Sequence, residues 1–164
     1  MVDTAGNDIM KTKPTHDDAN LILRLFELRR EDKLRAARKW IGAIPPLASR
    51  DQFTALCPPG SEENAYFRMV ASYWDMAAAF VTSGVLHREL FYQANNLELL
   101  FVWEKIKGAT LEIRRVNNDP LRYRHLEELA KGFIKFLNRN APGFYETFAG
   151  NIARSGRPPA PKSS

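Results

Sequence analysis

Three observations predict an all-α fold, an antiparallel bundle of about five to seven helices. Apolar residues return three or four positions apart in segment after segment of the 164-residue sequence. No run alternates apolar and polar residues between turn signals, as a half-buried strand requires. The segments begin at capping side chains and end at glycine or proline. One domain is expected, because a chain near this length buries roughly 68–70% of its unfolded surface.

Residues 1–15 lack apolar periodicity and are expected to be a disordered arm. Thr15, Asp17 and Asp18 supply caps and negative charge for a first helix with Leu21, Ile22, Leu25, Phe26 and Leu28 on one face. It runs on, or bends near Glu31 and Asp32, into a segment carrying Leu34, Ala37, Trp40, Ile41 and Ile44 along one side. Pro45 and Pro46 end that segment. A short helical piece follows at residues 51–56, closed by "CPPG". Ser61, followed by Glu62 and Glu63, opens a helix with Tyr66, Met69, Val70, Tyr73, Ala77, Phe80 and Val81 at helical spacing. Gly84 ends it in a left-handed conformation, with Val85 expected to pack back, and a new helix starts at His87 and bends near Asn95 and Asn96.

Residues 97–116 carry two apolar stripes, Leu99, Val102, Ile106, Ala109 and Ile113 on one side and Leu97, Leu100, Phe101 and Leu111 on the other. Such a helix belongs at the centre of a bundle. "NNDP", residues 117–120, stops it. A helix over residues 121–138 points Leu126, Leu129, Ala130, Phe133, Phe136 and Leu137 inward, and Pro142 opens a last one with Phe144, Phe148 and Ile152 on one side. The domain is thus expected to span residues 16–153, with residues 154–164 a disordered, proline-rich tail.

Several function classes lose ground on composition. Cys57 is the single cysteine, so an internal disulfide framework is excluded and a reducing compartment fits. The first residues are acidic and polar where an export signal needs a basic then an apolar segment, and no uncharged run approaches the ~20 residues of a membrane span. A cytoplasmic protein is expected. Cys57 has no base nearby in sequence to activate it, and His16, His87 and His125 lie on separate segments without metal-ligand spacing. No catalytic residue, metal site or cofactor is predicted, and a non-enzymatic role is favoured.

The formal net charge is +5, and residues 21–50 alone carry eight basic against three acidic residues, so the excess is local. Its centre is "LRREDKLRAARKW", residues 28–40, which poses two readings. Arg29, Arg30, Lys33, Arg35, Arg38 and Lys39 are a candidate surface for nucleic acid or another polyanion, to which Arg154 and Arg157 of the tail would add. Alternatively, Leu34, Ala37 and Trp40 anchor a helix whose outer side is a solvated charged face, where Glu31 and Asp32 offset Arg35. The solvated face is favoured because the acids interrupt the stripe. Two further candidates are a pocket at Trp103, Glu104 and Arg114, and an interface formed by Phe67 and Trp74 at one edge of their helix's apolar arc. The favoured functional expectation is an interaction or regulatory module that self-associates or docks a protein partner.

"LRAARKW" (residues 34–40), "SYWDMAAAFVTSGVLHRELFY" (72–92) and "WEKIKGATLEIRRVNNDP" (103–120) together resemble a small, mostly bacterial all-helical family catalogued as a domain of unknown function. The resemblance covers about residues 21–137. It implies a helical domain, some members of which carry an N-terminal membrane helix, and no catalytic residues to transfer. That membrane helix is not carried over to this sequence.

Overall fold

The computed structural model describes residues 13–94 and 97–156. Among them are eight helices and no strand: α1 (His16–Leu28), α2 (Asp32–Ala43), α3 (Arg50–Leu56), α4 (Glu62–Thr82), α5 (Arg88–Gln93), α6 (Leu97–Asn117), α7 (Arg124–Asn140) and α8 (Phe144–Arg154). The number exceeds the expected five to seven because α1 and α2, and α5 and α6, are separate helices. The expected arm over residues 1–12, the bend at Asn95 and Asn96, and the tail beyond residue 156 lie outside the described residues.

Local chemistry explains most boundaries. Thr15 caps α1 in a reciprocal capping box with Asp18, whose carboxylate also accepts the His87 amide at 2.9 Å. Asp18 is buried and so ties α1 to the start of α5. Glu31 caps α2 by accepting the Leu34 amide at 2.9 Å, and the backbone amides of Leu34 and Lys33 hold its carboxyl below the usual carboxylate range. Ser49, Ser61 and His87 cap α3, α4 and α5 in the same way. Ile44 is extended before Pro45, which ends α2 as proline demands. Gly84 takes φ +77° after α4, yet the residue that packs back is Leu86, whose amide bonds Phe80 O at 2.8 Å. Leu86 is buried and Val85 is 55% exposed, so the chain turns one residue later than the expected contact required.

The core is organised by α4, which packs principally on α2 and α7, and by α6, which packs on α3, α7 and α8. Covered on two sides, α4 buries Phe67, Val70, Ala71, Tyr73, Trp74, Ala77, Ala78 and Val81. Ten residues of α6 are buried, including Glu104 and Lys105 and the whole first stripe, whereas of the second stripe only Leu100 is fully buried and Leu111 is 49% exposed. Gly108 lets the loop after Pro46 lie directly on α6: Leu47 donates its amide to Lys105 O and accepts that of Ala109. A Cβ on Gly108 would sit 2.7 Å from Leu47 O. The ordered chain continues past α8, where Ser155 Oγ accepts the buried Lys105 ammonium at 2.7 Å and Gly156 packs on Pro45. Residues 154–156 therefore belong to the folded unit and not to a tail. α1 is anchored at few points. Only Leu25 and Asp18 of its residues are buried, and Tyr73 pins it by donating its hydroxyl to Leu25 O at 2.6 Å. Burial raises the Tyr73 hydroxyl to about 12.

Candidate functional site

The break between α1 and α2 decides where the basic residues go. Because the chain turns at residues 29–31, Arg29 folds inward while α2 brings Arg38 alongside it. Arg38 Nε and Nη2 donate to the two carboxylate oxygens of Glu98, on the first turn of α6, at 2.5 Å each, and its Nη1 donates to Arg29 O at 3.0 Å. One bidentate guanidinium thus joins the end of α1, the middle of α2 and the start of α6. The Glu98 hydrogen bonds hold the Arg38 pKa above its ordinary value, against the burial that lowers it.

Arg29 is 9% exposed. Its guanidinium carbon lies 5.2 Å from the ring centres of both Trp74 and Phe26, and its Nη1 is 3.6 Å from Glu98. That distance is an ion pair but too long for a hydrogen bond, and among the described residues Nε has no acceptor. Two aromatic faces and one shared carboxylate stabilise a cation that would otherwise be costly to bury. Around this centre lies a surface cleft of about 470 Å³, lined by Phe26, Arg29, Arg30, Arg35, Arg38, Leu97 and Glu98. Arg30 makes no ion pair among the described residues and sits 5.5 Å from the Phe26 ring. Arg35 holds Asp32 at 2.5 Å, both largely in solvent. Leu23 and Phe26, about 60° apart on α1, leave 59% and 48% of their surface open and form an apolar edge at the cleft, while Leu28, 41% open, lies on another side of the helix. Phe26 and Leu28, expected on the apolar face of α1, are exposed instead.

Four of the six basic candidates, Arg29, Arg30, Arg35 and Arg38, therefore line one cleft, while Lys33 and Lys39 are exposed outside its lining. The other candidates fare differently. Phe67 and Trp74 are each 1% exposed and form no surface interface: α2 and α7 cover both flanks of α4, Phe53 meets Phe67 edge-on at 4.7 Å, and Arg29 covers Trp74. Trp103, Glu104 and Arg114 do not converge on a pocket. Trp103 is buried; Glu104 accepts Tyr145 Oη and Lys107 Nζ at 2.7 Å each; Arg114, ten residues or about 15 Å further along α6, is paired with Glu127 and Arg122 O.

Asp75 of α4 caps α7 by accepting the Leu126 amide at 2.9 Å. The histidines have separate partners or places: His87 caps α5, His125 bonds Thr82, and His16 begins α1. Among the described residues no group of three His, Cys, Asp or Glu is placed to hold a metal ion. Burial, with a smaller push from Glu63, raises the Cys57 thiol to about 11, so it is protonated at neutral pH. No described helix is long and apolar enough to cross a membrane.

A family model described as a domain of unknown function, DUF4760, matches residues 14–133. The chain belongs to the DUF4760 family. The DUF4760 match runs from the N-cap of α1 into α7 and contains every residue of the arginine cleft, whereas α8 and the Ser155 contact lie beyond it. Comparison with curated proteins finds no match, and neither does comparison with solved structures.

The contribution of Glu98 to this DUF4760 cleft is not visible from spacing, since it lies sixty residues from Arg38 in the chain. The signal that was available is a carboxylate on the first turn of a helix expected to be central, where burial demands a cationic partner.

Proposed function

We propose that this DUF4760 domain is a non-enzymatic, cytoplasmic interaction module that docks an acidic segment of a protein partner in the arginine cleft, with the apolar edge of α1 as its flank. The observation that carries this reading is the lining of the cleft: four guanidinium groups and one carboxylate, beside exposed Leu23 and Phe26. Arginine forks match carboxylates geometrically and suit partly desolvated contacts, and an apolar edge adds buried area to them. The reducing compartment is supported by a lone, buried, protonated cysteine.

A labelled helical peptide patterned in glutamate and leucine tests it by fluorescence anisotropy. Binding is expected, weakened by Arg30→Glu and by Arg35→Glu but not by Lys135→Glu on α7. If a correctly folded protein leaves the peptide free even at low salt, the reading is lost.

A nucleic-acid reading keeps one observation in its favour, since Arg30, Lys33, Arg35 and Lys39 are all exposed. It weakens because Glu31 and Asp32 stand among them and Arg35 already holds Asp32. A single-stranded oligonucleotide in the same assay separates the two, because phosphate-backbone binding falls steeply and log-linearly with salt. Light scattering shows whether the acidic partner is a second copy of the chain.

A further inference from the structure

We infer that the acidic group taken by the cleft is a phosphate monoester dianion, carried by a phosphorylated side chain of the partner; this rests on the docking function proposed above.

Charge is the first reason. Of the four guanidinium groups in the lining, Glu98 neutralises one and Asp32, held by Arg35, another. Two positive charges remain, which a dianion balances and a single carboxylate does not.

Hydrogen bonding is the second. Both Glu98 oxygens are engaged by Arg38, whose Nη1 is bound to Arg29 O. The unmet demand lies with Arg29 and Arg30. Among the described residues, Arg29 is nine-tenths buried, has no acceptor for Nε and stands 3.6 Å from the Glu98 carboxylate, and the Arg30 guanidinium has no ion pair and lies against the Phe26 ring. A phosphate offers three strong acceptor oxygens to such forks, one more than a carboxylate.

Shape is the third. About 470 Å³ is room for one side-chain-sized group. Phe26, with a guanidinium 5.2 Å and another 5.5 Å from its centre, and Leu97 give an apolar wall for the carbon part of that group.

The test uses the full chain and three otherwise identical labelled peptides, with tyrosine, phosphotyrosine or glutamate at the centre of an acidic, leucine-containing helix. The phosphotyrosine form is expected to bind about tenfold or more tightly than the glutamate form near neutral pH, as one further charge-assisted hydrogen bond would give. The advantage should shrink as pH falls from about 7 to about 5, because the second phosphate pKa is about 6. Arg30→Gln, an exposed change that leaves the Arg38–Glu98 contact intact, should remove most of the preference; Arg29→Lys gives a second reading at the buried position, with folding checked by circular dichroism.

Equal affinity for phosphotyrosine and glutamate peptides, or an unaltered preference in Arg30→Gln, overturns the phosphate assignment while leaving acidic docking in place. Failure of all three peptides to bind overturns both. Phenyl phosphate is the remaining arm: displacement of the peptide only at far higher concentration fits a partner-borne phosphate, and equal potency would overturn the partner as its source.

Discussion

Replacing Arg38 by alanine should loosen the molecule at one place, and the structure sets the size of the effect. Three hydrogen bonds disappear, two of them charge-assisted at 2.5 Å to Glu98 and one at 3.0 Å to Arg29 O. A bond to a charged group is worth about 1.5–3 kcal/mol when well formed. Arg38 and Glu98 retain 31% and 22% exposure, so solvent screening brings the expected total down to about 2–3 kcal/mol. For a chain of this size that is a Tm lower by roughly 4–12 °C.

Glu98→Gln should cost a similar amount for a different reason, since Arg29 then keeps its aromatic faces but loses its one carboxylate. The two changes remove the same contact, so their combination should fall short of the sum by about 1–2 kcal/mol. Urea unfolding of the four proteins measures this, and hydrogen exchange should rise at the end of α1 before it rises in α4. Additivity within about 0.5 kcal/mol, or no preferential exchange at α1, would refute the claim that this contact holds the junction together.

Other expectations follow from separate parts of the fold. Burial raises the pKa of Glu127, but hydrogen bonds from Arg114 and Lys131 outweigh it and hold the carboxyl below its ordinary value. A carboxylate depressed on folding stabilises above its unfolded pKa of about 4.3 and loses that contribution as pH falls through the folded value. The gap between the protein and Glu127→Gln in urea unfolding should therefore be largest near neutral pH and narrow in acid. Gly108→Ala should destabilise by about 1–2 kcal/mol, as overpacking against the Leu47 and Ala48 carbonyl oxygens exceeds the helix-propensity gain of about 1 kcal/mol. Gly42→Ala in α2, with open space around the added methyl, should stabilise; thermal melts that rank the two alike would contradict the close approach. Cys57 should react with a thiol reagent only on unfolding, because its thiol is buried and raised to about 11; rapid labelling of the native protein at mild pH would show otherwise.

Much of the fold was legible in local patterns because caps, proline and helical periodicity act over a few residues. Thr15, Ser61 and Pro45 set boundaries where expected, the two-sided stripe of α6 marked the central helix, and Leu34, Ala37 and Ile41 went inward as their arc predicted. Misreadings arose where a second element supplied the missing partner. Phe67 and Trp74 lie at the edge of their helix's own apolar arc, but α4 packs on both α2 and α7, so that edge is covered. The capping role of Asp75 was not visible locally because the amide it accepts, that of Leu126, lies fifty-one residues later.

The opening basic segment divides in the same way. By itself the sequence determined that residues 28–40 contain an anchoring edge of Leu34 and Ala37 and an excess of positive charge, since both depend only on composition and on 3.6-residue periodicity. Only the tertiary structure decided that Arg29 lies over Trp74, that Arg38 is held by Glu98, and that Arg30 is left without an ion pair among the described residues. Electrostatic partners are chosen through space, and the break between α1 and α2 brings arginines from two helices to one carboxylate sixty residues away from Arg38. That arrangement converts a charged stripe into a cleft with two cations still unbalanced.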